Sequence, residues 1–306
     1  MSRATEKAFR ELYKFIDKKA PQGVKSDEEM EKLINEFMTQ YNDNISNAEE
    51  PQDAYDYLEL AEQAGRKQDK RKYLAKAAAL EPENADVKLA QVELDAKGQM
   101  DLIIALPALI SDEEKRLKEQ KIYNSSKGDF WGVLETRPYM RLKYRYMMSL
   151  AECGVINKAI QVGEEMMRLN RSDNLGIRFM LMAFYAKSCN EMKALKLYRQ
   201  TQGAGKNPFY LLPLALLYFK LGEWPKAKSY INILKDTCPD TKKFFRAVKK
   251  DDEAFFHEHY NPMGYCRGSV EELIAAYLDN YAVYRDESYF LDWADEALIV
   301  HRNPKK

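Results

Sequence analysis

Apolar positions recur at helical spacing along almost the whole chain, and alternating strand-like runs do not. From Ala4 to Lys18, Phe9, Leu12, Tyr13 and Ile16 share one stripe, and Pro21 and Gly23 end that helix. Ser26 with Glu29 forms a capping box for a second helix, striped by Met30, Leu33, Ile34, Phe37, Met38 and Tyr41. The Asn-rich stretch Asn42 to Asn47 predicts a loop. After Pro51, one helix carries Tyr57, Leu58 and Ala61, Gly65 makes a turn, and a second carries Tyr73, Leu74, Ala77 and Leu80. Ala85 to Lys97, stopped by Gly98, and Asp101 to Glu119 predict further helices. The polar passage Tyr123 to Asp129 is a candidate internal boundary. A loop holding Phe130 and Trp131 then leads into a helix from about Pro138 to Cys153. Hairpins follow over Asn174–Thr201 and Pro208–Leu234; the first helix of the latter is apolar nearly all round and therefore buried on both sides. A single helix is expected over Phe244–His259 and a loop over Asn261–Gly268. A helix capped by Ser269 and Glu272 comes next, then a closing helix from Phe290 to Val300.

Ala159, Ala194 and Ala227 recur at intervals of 35 and 33 residues, each closing a phrase of small residue, polar turn and alanine. The small residue lets the chain reverse, and the alanine lets the second helix approach the first. This period predicts an all-α fold, an α-solenoid of stacked antiparallel hairpins, and so binding rather than chemistry. Leu80-Glu81-Pro82-Glu83-Asn84-Ala85-Asp86, with its upstream alanines, resembles the close of a tetratricopeptide repeat about 34 residues after Pro51. The phrase from Phe130 to Arg141, followed by SLAECGVINKAI and RLNRSDNLGIRFMLM, resembles the suppressor-of-tumorigenicity-seven-like group of tetratricopeptide proteins and their bacterial relatives. That resemblance spans about Phe130 to Leu234. Two positions depart from the ideal repeat: Arg171 stands at the closing proline and Cys189 at the turn glycine. The expected organisation is an N-terminal hairpin (1–45), degenerate repeat-like helices (46–122), repeats (137–240) and a C-terminal helical cap (241–306).

Composition narrows the function. The 48 basic and 48 acidic residues cancel, which argues against a dedicated nucleic-acid binder. No signal-peptide core and no spanning apolar run is present, so a cytoplasmic protein is expected. The four cysteines are scattered and form no CxxC pair.

Candidate chemistry is sparse. His257 and His259 lie two apart, so on a helix they point in different directions and do not share one ion; no metal or cofactor is expected. Gly203-Ala204-Gly205-Lys206 lacks the first glycine and the Ser/Thr of a phosphate loop. Paired carboxylates such as Glu49-Glu50, Glu164-Glu165 and Asp251-Asp252 read as solvated faces. Arg137, Arg141, Lys143 and Arg145, interleaved with Tyr139, Tyr144 and Tyr146, form a cationic ridge beside Trp131. Intrachain pairing with Glu135, Glu164 or Glu165 is favoured over anion recognition. The resemblance implies that the first helix of each hairpin lines a concave face, here Arg141, Tyr144 and Met148, then Phe179, Ala183 and Lys187, then Phe209, Leu212, Leu216 and Lys220. Such an apolar strip is filled by a partner helix or by the chain's own C-terminal helices. The expected function is a non-enzymatic scaffold holding another protein or peptide, such as an amphipathic helix, through Arg141, Tyr144, Met148, Phe179 and Lys187. The alternatives are nucleic-acid binding through the Arg137–Arg145 ridge, an enzyme with an unrecognised site, and self-assembly through repeat faces.

Overall fold

The computed structural model describes residues 3–47, 51, 53–261 and 264–298, with side chains from Thr5 to Tyr41 and from Pro51 on. Val300, His301 and the Glu49-Glu50 pair lie outside the described residues. The fold is all-α, with no β-strand among the described residues. The chain divides into two compact units, residues 1–126 with 130–142, and residues 127–129 with 143–306.

The first unit contains α1 (Arg3–Lys19), α2 (Asp27–Asn47), α3 (Ala54–Gln63), α4 (Lys67–Leu80), α5 (Ala85–Asp95), α6 (Gln99–Glu119), α7 (Ile122–Ser125) and the start of α8 (Arg137–Glu152). Its core gathers Ala54, Tyr55, Leu58, Ala61, Leu74, Ala77 and Val87. Local chemistry explains where these helices begin. The Asp53 carboxylate accepts from the Tyr55 and Asp56 amides while Asp56 accepts from the Asp53 amide, a closed box worth about 1 kcal/mol. Asn84 caps α5 by accepting from the Asp86 and Val87 amides. The Phe130 phrase is a packed corner. Tyr123, Phe130 and Tyr139 meet ring to ring, the Thr136 hydroxyl donates to the Phe130 carbonyl, and Arg137 Nε donates to the Trp131 carbonyl at 2.8 Å.

The second unit takes the rest of α8 and then α9 (Ile156–Leu169), α10 (Ile177–Lys187), α11 (Glu191–Gln200), α12 (Pro208–Lys220), α13 (Trp224–Thr237), α14 (Thr241–Lys250), α15 (Glu253–His259), α16 (Val270–Leu278), α17 (Tyr281–Tyr284) and α18 (Ser288–Ala297). Four of its bends share one hydrogen-bond pattern. Gly154, Cys189, Gly222 and Asp251 have φ of 75°, 54°, 75° and 52°. The amide after each donates to the carbonyl five residues back, Val155 to Leu150, Asn190 to Tyr185, Glu223 to Tyr218 and Asp252 to Ala247, at 2.8–2.9 Å. This left-handed closure satisfies helix-end carbonyls and turns the chain back on itself. Ala159, Ala194 and Ala227 then sit in the first turn of the returning helix, each fully buried. Gly163 serves the same close approach one turn later. A Cβ there would lie 2.8 Å from a Leu181 methyl and 3.1 Å from the Met147 sulfur.

Neighbouring hairpins repeat in direction as well. Phe179 and Phe209, near the starts of α10 and α12, meet at 4.6 Å between ring centroids. Lys187 and Lys220, at their ends, reach the same Glu287 oxygen. The two helices therefore run parallel, with α12 buried along nearly its whole length.

Three expectations are corrected. The helix α2 continues through Asn47, because asparagine merely lowers helix propensity and no proline intervenes before Pro51. The single helix expected over Phe244–His259 is two, broken where Asp251 turns left-handed and Asp252 caps α15 by accepting from the Phe255 amide. At Ser26 and Ser269 the box glutamate reaches back one residue too far, to the amides of Lys25 and Gly268. Gly203–Lys206 forms a short 3-10 turn.

Candidate binding site

Five residues are expected to line one groove. Arg141 belongs to the first unit; Tyr144, Met148, Phe179 and Lys187 belong to the second. In the second unit the face of α10 and α12 is covered by the chain's own C-terminal helices. Lys187 Nζ lies 2.9 Å from the Glu287 carboxylate and donates to the Val283 carbonyl at 3.2 Å. Lys220 lies 2.7 Å from the same carboxylate. Arg285 donates to the Glu152 carbonyl at 2.6 Å, placing a cation at the negative end of α8. The segment 283–287 thus crosses the ends of three successive first helices. Phe219 meets Phe290 and Trp293 at 5.6 and 5.2 Å, and Leu273, Ile274 and Phe290 are fully buried. Exposing those three side chains alone would cost about 5–9 kcal/mol, which rivals the stability of a whole domain. The covering helices are part of the core.

The remaining side chains fit that picture. Phe179 is half-buried against Phe209, Tyr210 and the guanidinium of Arg178. Burial, and then the charge of Asp279, push the Tyr144 phenol upward. Met148 is half-buried.

The cationic ridge is neutralised inside the chain. Arg141 grips Asp86 with two hydrogen bonds, at 2.7 and 2.6 Å, and Glu6 at 2.9 Å. Arg137 approaches Glu6 at 3.4 Å. Glu6 and Asp86 are essentially unexposed, at 1 % and 0 %. Burial works against the Arg141 charge, and Asp86 and Glu6 outweigh it, raising its pKa. Lys143 pairs with Glu165 at 2.6 Å, one of the partners foreseen from sequence. Glu6 and Asp86 were not foreseen. The one sequence signal was a charge at Asp86 among the buried apolar residues Ala85, Val87 and Leu89.

What stays open is a cleft in the first unit that sequence reasoning missed. It measures about 810 Å³ and runs between α1 (Arg10, Tyr13, Lys14, Asp17), Tyr55, the Glu81–Ala85 bend, Glu113 and Arg116 of α6, and Leu134, Glu135 and Pro138. A recess of about 270 Å³ continues it along α6, sharing Glu83, Ala85, Glu113 and Arg116. Arg10 lies 4.3 Å over the Tyr55 ring, and Tyr13 is 55 % exposed. Arg116 is spent on Glu113 through two hydrogen bonds of 2.8 and 2.6 Å.

Among the described residues no cluster of three His, Cys, Asp or Glu side chains could hold a metal ion, and no helix is long and apolar enough to cross a membrane. His259 lies 3.3 Å from Glu271, and His257 is exposed. No protein-family model, no curated protein and no solved structure matches the chain.

Proposed function

We propose that the protein is a non-enzymatic, cytoplasmic scaffold of tetratricopeptide-like helical hairpins that binds another protein as a peptide segment. The recurring left-handed bend at Gly154, Cys189, Gly222 and Asp251 carries this reading, because repeated hairpins build surfaces rather than catalytic pockets. The peptide site is the first-unit cleft, since Glu287, Phe290 and their neighbours already occupy the apolar face of α10 and α12. Tyr13 and Tyr55 supply aromatic faces and Pro82, Leu134 and Pro138 apolar contact, with charge at both rims. Panning a displayed random-peptide library on the full chain tests this. Selected peptides should weaken about tenfold on Tyr13→Ala, equivalent to about 1.4 kcal/mol, and ignore Met192→Ala in the second unit. Failure to enrich any peptide, or binding indifferent to Tyr13→Ala, would overturn it.

A further inference from the structure

We infer that the cleft selects a peptide carrying a carboxylate, seated between Arg10 and Lys14. This rests on the reading that the cleft is the peptide site. The two cations stand one helical turn apart on α1 and both line the cleft. Among the described residues neither has a carboxylate within ion-pair distance. The other cations nearby do: Lys7 holds Asp56, Lys19 holds Glu36, Lys88 holds Glu83, Arg116 holds Glu113 and Lys118 holds Glu114. Arg10 is also oriented in advance. Its guanidinium rests on the Tyr55 ring, 4.3 Å from the centroid, which holds its plane and leaves N–H donors at its edge. A planar fork held this way matches a carboxylate, and Lys14 adds a second charge on a flexible stem.

The opposite lining decides against a polyanion. Glu81, Glu83, Glu113 and Glu135 line the same cleft, with Asp17 on α1 beyond Lys14, so a polyphosphate or nucleic-acid backbone would meet carboxylates along most of its length. A peptide carries one acidic group where the cations stand and amide N–H donors where the carboxylates stand. The charge arrangement therefore suits an extended segment with an isolated acidic group.

Fluorescence anisotropy with four labelled dodecapeptide pools tests the assignment on the full chain. Three pools fix Glu, Gln or Lys at the centre and are capped at both ends; the fourth fixes Gln and leaves the C-terminal carboxylate free. The Glu pool should bind at least about tenfold tighter than the Gln and Lys pools. That preference should disappear with Arg10→Gln, fall with Lys14→Gln and survive Lys18→Gln on the same helix. Lys14 is exposed, so its variant reports binding even if loss of the Tyr55 contact unsettles α1. Tight binding by the fourth pool would place the carboxylate at a chain terminus; its absence would place it on a side chain. Equal binding of the Glu pool, the capped Gln pool and the free-terminus pool would overturn the carboxylate assignment while leaving the peptide-binding reading in place. Binding by no pool would remove both.

Discussion

Replacing Asp86 with Asn probes the charge network that ties α1, α5 and α8 together within the first unit. The substitution keeps the shape and removes one of two buried negative charges, leaving Glu6 alone against Arg137 and Arg141. At a separation near 4 Å and an effective dielectric of about 20, the lost attraction is about 4 kcal/mol. Breaking a buried pair from one side costs about 3–5 kcal/mol. The Arg141 side chain keeps 16 % of its surface in water, which moves the expectation to the low end, about 3 kcal/mol. Arg141→Met should cost a similar amount by stranding Asp86. The double variant restores balance, because the Glu6–Arg137 pair remains, so its cost should fall at least about 2 kcal/mol short of the summed singles. Urea unfolding followed by Trp131, in a background with Trp224 and Trp293 changed to Phe, reads the first unit. A cost below about 1 kcal/mol for Asp86→Asn, or strict additivity of the double variant, would refute the network.

Three further outcomes are expected. Gly163→Val should destabilise by about 1–3 kcal/mol in thermal unfolding, since its branches press on Leu181 and Met147; an unchanged melt would contradict the close approach of α9. Cys189→Gly should stabilise by about 0.5–1 kcal/mol, because the exposed cysteine holds a left-handed conformation that glycine adopts freely, while Gly154→Ala and Gly222→Ala should destabilise. Glu164 titrates below its ordinary range: burial opposes the charge, but Lys193 at 2.6 Å and the Tyr185 hydroxyl at 2.8 Å outweigh it. A depressed carboxylate contributes stability above its unfolded pKa and loses it as pH falls through the folded one. The melting difference between wild type and Glu164→Gln should therefore be widest near pH 7 and close below about pH 4; a difference independent of pH would contradict that coupling.

The bends were legible because they are local. Gly154, Gly222 and the alanines five residues later state a conformational demand within one short phrase, and Cys189 meets the same demand without glycine. Asp251 makes the fourth such bend, but beside Asp252 it reads as a solvated pair, so its helix break was hidden. The parallel alignment of Lys187 and Lys220 follows from the period. What they meet does not, because Glu287 lies 67 residues beyond Lys220 and belongs to no repeat. The partners of Arg141 lie 55 and 135 positions away, and a single sequence carries no signal of pairing at that distance. The cleft escaped notice for the same reason: its walls come from α1, α6 and the approach to α8, which are neighbours only in the folded chain.

The central claim is that the open site lies in the first unit and the apolar face of the second is sealed by its own helices. Hydrogen exchange of the full chain, with and without the tightest library-selected peptide, tests it most directly. The account predicts added protection at residues 10–17, 81–85 and 134–138, with 177–187, 208–220 and 270–298 unchanged. Protection of 177–187 and 208–220 together with faster exchange across 270–298 would mean that the C-terminal helices are displaced by the peptide, and would contradict it.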